Sequence, residues 1–306
     1  VAENVPQRIL ILGGAGMLGH KLVQALARDF ETWTTVRGPA APYARYELLD
    51  PERIITGIDA NNFEDIVAAF ARVRPHAVVN CIGIIKQLPA ASDPVLNLTI
   101  NSLLPHRLQR LCSANEARLI HFSTDCVFNG RKGRYTEDDP SDAVDLYGRT
   151  KFLGETSGDG ALTIRSSVIG RELMTAHGLV EWFLAQRGES VRGYTRAIYS
   201  GFTTRMMARI VRTILLEHPA LAGTVQISSE PISKHDLLGL LRDAFDVDVR
   251  IVPDDGVQID RSLDSTRFRT LAAFVPPSWP EMIAEMASDA TPYDEWRQQR
   301  RNAAVI

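Results

Sequence analysis

The feature that most constrains this chain is a glycine-rich turn set between two segments of opposite periodicity. Residues 8–12, Arg-Ile-Leu-Ile-Leu, read as a compact buried strand, and Gly13-Gly14-Ala15-Gly16-Met17-Leu18-Gly19 follows at once. Beyond it Leu18, Leu22, Leu26 and Phe30 recur every fourth residue, which puts them on one face of a helix. Glycines at the first, fourth and seventh places of such a turn permit a tight bend, close approach of a pyrophosphate and close packing of helix on strand. The start of the helix then offers free N–H groups and a positive dipole end. Three glycines alone are weak evidence, because many surface turns hold three. Set between a buried strand and an amphipathic helix, they predict a dinucleotide cradle formed by Gly13, Gly16, Met17 and Leu18.

The same alternation continues. Strands are expected at residues 32–37, 54–59, 77–80, 119–123 and 162–168. Between them, Asn61 or Asn62 caps a helix with Phe63, Ile66, Val67, Phe70 and Val73 inward, and Leu96, Ile100, Leu104, Leu108 and Leu111 mark one long helix. Another helix starts at Tyr147. The fold class is therefore α/β, a Rossmann-type doubly wound parallel sheet over residues 1–170. After Gly170 the rhythm is less regular. Helices at 179–186, 205–217 and 234–245 mix with short strands near 225–228 and 249–252, read as a smaller α+β substrate-binding lobe over 171–306 with a segment returning to the sheet.

Composition excludes other classes. With 45% hydrophobic and 23% charged residues among 306, the chain can bury a core without disulfides or metals. Its 34 basic and 37 acidic side chains give no bulk charge for nucleic acid, so no nucleic-acid partner is expected. No apolar run approaches the roughly 18–20 residues of a membrane helix, so no membrane partner is expected either. Cys81, Cys112 and Cys126 are too few and too scattered for a disulfide framework or a zinc site, and the chain's start lacks signal-peptide order. His76, His106, His177, His218 and His235 have no metal-ligand spacing, His121 on its strand reads as a core residue, and no metal is expected. The protein is expected in a reducing cytoplasm, as a monomer or homodimer, with residues 297–306 frayed.

The end of the second strand reports the dinucleotide. An acidic residue there would hold the ribose 2′-hydroxyl of NAD, whereas a basic one accommodates a 2′-phosphate. Here Thr34-Thr35-Val36-Arg37-Gly38 brings Arg37 and no carboxylate before Glu47, which favours NADPH over NADH. Asp59 is placed either to meet the adenine amino group or to cap a turn. Asn80, Cys81 and Gly83 leave the fourth strand where the cofactor would lie.

The fifth strand ends in Phe122-Ser123-Thr124-Asp125-Cys126, and the next helix carries Tyr147 and Lys151. Four residues apart, the phenol and the ammonium share one helix face. A phenol with a pKa of about 10 is a poor acid or base near neutrality, and a nearby ammonium together with an oxidised nicotinamide draws it toward a useful range.

Four stretches now carry a resemblance: Gly13–Gly19, STDCVFNG from Ser123, YTEDDP from Tyr135 and YGRTKFLGE from Tyr147. Weaker echoes follow in IRSSVIG from Ile164, SGFTT from Ser200 and RSLD from Arg261. The chain resembles the extended short-chain dehydrogenases/reductases, and among them the dTDP-4-dehydrorhamnose reductase family and its nucleotide-sugar relatives. The resemblance is dense to about residue 170 and thin beyond.

It implies reduction of the C4 keto group of a nucleotide-diphosphate 4-keto-6-deoxy sugar, with NADPH as hydride donor. It further implies Thr124 on the substrate carbonyl, Tyr147 as proton donor, Lys151 as ribose anchor, Ser123 beside the cofactor, and Asn101 supporting a relay water or bonding locally. Asp125 and Cys126 adjoin the substrate. Lys86, Arg171, Arg192, Arg196 and Arg261 are candidates for a diphosphate clamp, of which Lys86 and Arg261 are preferred. Trp182 and Phe183 either stack on a base or pack in the core. The family's usual tyrosine after Ser-Thr-Asp is replaced by Cys126, and dehydratases of the superfamily have glutamate there, so dehydration is not expected. Two rivals remain: an epimerase retaining NAD, and a non-catalytic NADP-binding regulatory subunit. The acidic run Glu137-Asp138-Asp139 reads as a solvated turn rather than a cation site.

Overall fold

The computed structural model describes residues 7–44, 49–87, 89–158, 160–173 and 175–296. Glu47, Asp159 and the segment 297–306 expected to fray lie outside the described residues.

Seven parallel strands form the central sheet: β1 (Arg8–Leu12), β2 (Glu31–Thr35), β3 (Ile54–Ile55), β4 (Ala77–Asn80), β5 (Arg118–Phe122), β6 (Ala161–Arg165) and β7 (Gly223–Gln226). Their spatial order is β7-β6-β5-β4-β1-β2-β3, so the winding reverses between β1 and β4. A crevice at such a reversal, beyond the carboxyl ends of the strands, is where ligands bind in open α/β sheets. Both faces are apolar because both are covered. Ile9, Ile11, Val79, Ile120 and Ile164 face one layer, Leu10, Leu12, Val78, Leu119 and Ala161 the other, and all are buried.

Helix α1 (Gly19–Leu26) follows the glycine turn, and α2 (Phe63–Val73) turns Ile66, Phe70 and Val73 inward. Asn62 stands at its N-cap without accepting from a helix N–H; its side-chain amide donates to Asp65 Oδ1 at 2.7 Å. The long helix expected from Leu96 onward is interrupted. A helical turn at Pro94–Asn97 passes into a π-helical stretch at Leu98–Leu103 before α3 (Leu104–Ser113) resumes. Pro105 supplies no N–H for the Asn101 carbonyl, so ordinary α register cannot run through. That carbonyl lies against Gly154, where a Cβ would collide with it. Helix α4 (Leu146–Leu153) is capped by the Asp145 side chain, which accepts from the Gly148 N–H at 2.8 Å.

The third strand is shorter than expected, two residues rather than six, and residue 59 lies in the loop after it. The sixth strand stops at Arg165; Val168–Ile169 leaves the sheet and pairs with Phe202–Thr203. Among the residues after Gly170, α5 (Thr204–Glu217) packs on α1 and leads to β7 at the sheet's edge. Helix α6 (Lys234–Phe245) lies against two small sheets, one of Ser190–Tyr194 with Arg250–Asp254 and one built around Ala197–Tyr199. Helix α7 (Trp279–Ala287) packs on α6. Residues 289–296 then return to α1. Asp289 forms an ion pair with buried Lys21, and the Tyr293 hydroxyl lies 2.7 Å from His20 Nε2. Burial lowers the His20 pKa to about 3, so that ring is neutral at neutral pH.

Candidate functional site

The glycine turn sits at the end of β1, on the reversal point. Gly13 adopts φ +85°, a conformation that disfavours any side chain. Its N–H donates to Thr35 Oγ1 at 3.1 Å, and the Gly14 N–H donates to the Thr35 carbonyl at 3.0 Å, which ties the turn to β2. A Cβ on Gly14 would run into Thr34, and one on Gly19 into the Gly13 carbonyl, so the helix start approaches the strand end closely. Gly14 is thus a packing residue the sequence did not single out. At Gly16 a Cβ would stand 3.2 Å from the Gly13 oxygen. No side chain caps α1 at Leu18. An uncapped helix start behind a turn cleared of side chains fits a diphosphate, which accepts from backbone N–H groups.

Around this turn the expected cofactor residues divide. Arg37 is exposed at the end of β2 and bonds to no described residue. Asp59 Oδ1 accepts from the Asn61 N–H at 3.1 Å, the turn-capping role. Asn80 is buried between Ile82 N–H and His121 Nδ1, at 3.1 Å from each, which orders the exit from β4. Cys81 follows, its thiol pKa driven up by burial. Gly83 faces Asn101, 3.4 Å from where its Cβ would lie. Asn101 itself accepts from the Ile84 N–H at 2.9 Å and donates to the Ile84 carbonyl at 3.1 Å, so it bonds the β4 loop directly.

Thr124, Tyr147 and Lys151 come together beyond the end of β5. Lys151 is buried and donates to the Phe122 carbonyl at 2.5 Å. Burial lowers its pKa to about 8, against the opposite pull of Glu155 and Cys81. Ser123 donates to Glu155 at 2.6 Å, and Arg165 grips the same carboxylate through both oxygens at 2.8 Å. Glu155 was legible only as part of a motif; its place is fixed by Ser123, just after β5, and by Arg165, at the end of β6.

The Tyr147 phenol differs from the expectation. Burial pushes its pKa up, Cys126, Asp125 and Asp145 add to the rise, and only Thr124 opposes it. The shared helix face does not make the lysine ammonium its dominant neighbour. The phenol is therefore held in its protonated form, the state an acid needs. The Thr124 hydroxyl donates to Asp125 at 3.1 Å and accepts from the Cys126 N–H at 3.1 Å. Its hydrogen must leave Asp125 before it can serve a carbonyl.

Two of the candidate clamp cations join this cluster. Lys86 pairs with Asp145 at 2.7 Å, and its ammonium lies 5.4 Å from the centre of the Tyr147 ring. Burial works against the Asp145 carboxylate, but Lys86 and the Gly148 N–H outweigh it and hold its pKa low. Arg261 donates to the Phe128 carbonyl at 2.8 Å and, with Lys86, makes the surroundings of Cys126 more positive. The Cys126 thiol is nonetheless pushed up to about 11 by burial, then by Asp125. It stays a thiol at neutral pH and is no nucleophile.

The remaining cations lie elsewhere. Arg171 is buried in ion pairs with Glu181 at 2.8 Å and Asp294 at 2.7 Å. Arg192 points outward, 72% exposed, toward Asp254. Phe183 is core, whereas Trp182 beside it is 41% exposed. In the acidic turn, Asp139 pairs with Lys132, Asp138 with Arg267, and Glu137 accepts from the Gln226 N–H. No cluster of three metal-ligating residues occurs among the described residues, nor does a helix long and apolar enough to cross a membrane.

The family described as the RmlD substrate binding domain matches residues 7–191. A dTDP-4-dehydrorhamnose reductase of Streptomyces griseus is 37% identical over 150 residues, 48% of this chain and 43% of that protein. The subunit beta of methionine adenosyltransferase 2 of Bos taurus is 26% identical over 292 residues, 88% of this chain and 84% of that one. The chain spans about half the length of the first curated relatives it matches. Among solved structures, the dTDP-4-dehydrorhamnose reductase of Bacillus anthracis in complex with NADP superimposes with a TM-score of 0.75 at 19% identity, covering 92% of this chain and 98% of that one. That likeness shows the shared Rossmann-type fold.

Proposed function

Because this chain belongs to the RmlD substrate binding domain family, we propose that it is an NADPH-dependent reductase of a nucleotide-diphosphate 4-keto-6-deoxy sugar. The observation that carries the reading is the convergence of Thr124, Tyr147 and Lys151 beyond β5, beside the glycine turn at the reversal of the sheet. A reducing cytoplasm suits its three free thiols.

Gly13, Gly16, Met17 and Leu18 hold the diphosphate of the cofactor, Arg37 its 2′-phosphate, and Lys151 with Ser123 its nicotinamide end. Bound NADPH supplies the hydride that reduces the carbonyl. The chain's own part is positioning and proton supply. Thr124 turns its hydroxyl from Asp125 to the substrate oxygen, and Tyr147, kept protonated by its buried setting, gives that oxygen a proton. Lys86 and Arg261 face the diphosphate, and the residues after Gly170 close over the sugar nucleotide.

The likeness to the subunit beta of methionine adenosyltransferase 2 across 88% of the chain supports a second reading, a non-catalytic NADP-binding regulatory subunit. Following NADPH oxidation with dTDP- and UDP-linked 4-keto-6-deoxy sugars separates the two. Turnover is the expected result. Absence of turnover with every sugar, together with tight binding to another protein, would establish the second reading. NAD retained through purification would indicate an epimerase instead.

A further inference from the structure

Lys234 opens α6, directly after the two-residue strand Ile232–Ser233 that pairs with Ala197–Tyr199. Its ammonium lies 4.7 Å from the centre of the Tyr199 ring. Tyr199 is buried, and its hydroxyl has no hydrogen-bond partner among the described residues. The half-buried lysine itself makes no ion pair or hydrogen bond with any described residue. An aromatic face can hold a cation in this way, but it does not neutralise its charge.

The small sheet that carries Tyr199 and leads into Lys234 is tied to the other half of the site: its strand Ile259–Asp260 pairs with Ala197–Tyr199, and the Asp260 N–H donates to the Gly130 carbonyl at 2.7 Å, a few residues beyond Asp125. Burial lowers the Lys234 pKa, and Asp125 and Cys126 oppose that effect. The same two residues act on Tyr199. Asp125 is buried, receives the Thr124 hydroxyl on Oδ1, and among the described residues has no cation within ion-pair distance. An ammonium and a carboxylate are therefore held within electrostatic reach of each other but apart, next to Thr124 and Tyr147. A pair that served only to stabilise the fold would gain most by closing.

A neutral hydroxyl suits this arrangement, since it accepts from the ammonium and donates to the carboxylate. A phosphate does not, because Asp125 would repel it. We propose that Lys234 is a specificity residue that, together with Asp125, binds a ring hydroxyl of the sugar beside the reacting carbonyl. The proposal rests on the nucleotide-sugar reading of the site and adds to it a contact from the residues after Gly170.

The test is calorimetric titration of a dTDP-6-deoxyhexose and its UDP counterpart, each alongside the bare nucleotide diphosphate. Lys234→Met keeps the packing on Tyr199 while removing the charge. It should weaken binding of the nucleotide sugar about tenfold or more, leave the bare nucleotide within about twofold, and leave NADPH binding unchanged. Lys234→Arg should restore part of the loss. If Lys234→Met does not fold, Lys234→Gln should show the same split. Equal loss for sugar and bare nucleotide would make Lys234 a phosphate contact and overturn the proposal, as would no loss at all. Wild-type protein that binds nucleotide but gains nothing from the sugar would overturn the functional reading as well.

Discussion

The two sides of the candidate site are built by different means. On the sheet side, Thr124 and Lys151 are set by the end of β5 and by one face of α4, and their bonds run to main-chain atoms or immediate neighbours. On the other side, Tyr199 ends a three-residue strand, Arg261 follows a two-residue strand and Lys234 opens a helix, all brought in from 74 or more positions beyond Asp125. Regular elements give a fixed geometry to groups that must meet a transition state within a fraction of an ångström. Short strands and loops tolerate substitution more readily, which suits groups that select a substrate. The sheet side should therefore control rate and cofactor, and the far side selectivity.

The largest effect belongs to Tyr147. Tyr147→Phe should lower kcat by about 10²–10⁴-fold, the usual contribution of general acid catalysis, with NADPH affinity unchanged. Retention of most of the activity would place the acid elsewhere and dissolve the contrast between the sides. Next is Arg37→Ala, which should reduce the preference for NADPH over NADH roughly ten- to a hundredfold, measured by titration of both cofactors. An unchanged preference would remove Arg37 from the cofactor site.

Lys151 offers a stability test with a definite sign. Its pKa falls from 10.5 to about 8 on folding. Below pH 8 both folded and unfolded chains hold the proton, and the cost of burying the charge is fully present. Between about pH 8 and 10.5 the unfolded chain binds a proton that the folded one has released, so this term makes stability rise with pH. Lys151→Met should abolish turnover yet gain about 1–2 kcal/mol at pH 7, after the lost bond to the Phe122 carbonyl is allowed for. Thermal unfolding at a series of pH values should show that gain shrinking above pH 8, gone within about one to two pH units and reversed toward 10.5, where only the lost bond remains. A gain independent of pH would mean the charge is not the cause.

The smallest effect falls on the border between the sides. Cys126→Tyr should lower the rate with a UDP-2-acetamido-4-keto sugar relative to the plain dTDP sugar by a few-fold, as added bulk intrudes beside the ring; equal rates would show that the space is filled by other groups.

How much of this was legible follows from where local signals reach. β1 and α6 run over the residues expected, because a buried apolar run and a clean helical period each carry their own evidence. The π-helical stretch was not legible: leucines and an isoleucine every fourth residue look like one helix, while the departure is made by Pro105 and the approach of Gly154. Tyr147 and Lys151 were found by spacing, but spacing alone exaggerated the lysine's hold on the phenol, since it carries no information on burial. Lys234 gave no signal at all. Nothing between residues 125 and 234 announces that a lysine after a two-residue strand will come within electrostatic reach of Asp125. Arg171 erred the other way, a cation free in sequence but committed to Glu181 and Asp294 in the fold.

The return of residues 289–296 to α1 has a consequence for how the molecule is made. Lys21 and His20 lie just behind the glycine turn, and their partners Asp289 and Tyr293 are translated some 270 positions later. A nascent chain that has exposed the whole of β1 to β6 still carries an ammonium with Gln24 but no carboxylate beside it, and an imidazole bonded on one side only, to the Gly16 carbonyl. Contacts of such long sequence separation close late, because chain entropy opposes them until most other structure is in place. The N-terminal half emerging from the ribosome is thus a loosened body whose first helix is not yet clasped, and cofactor present during synthesis would favour its order by binding the folded turn alone.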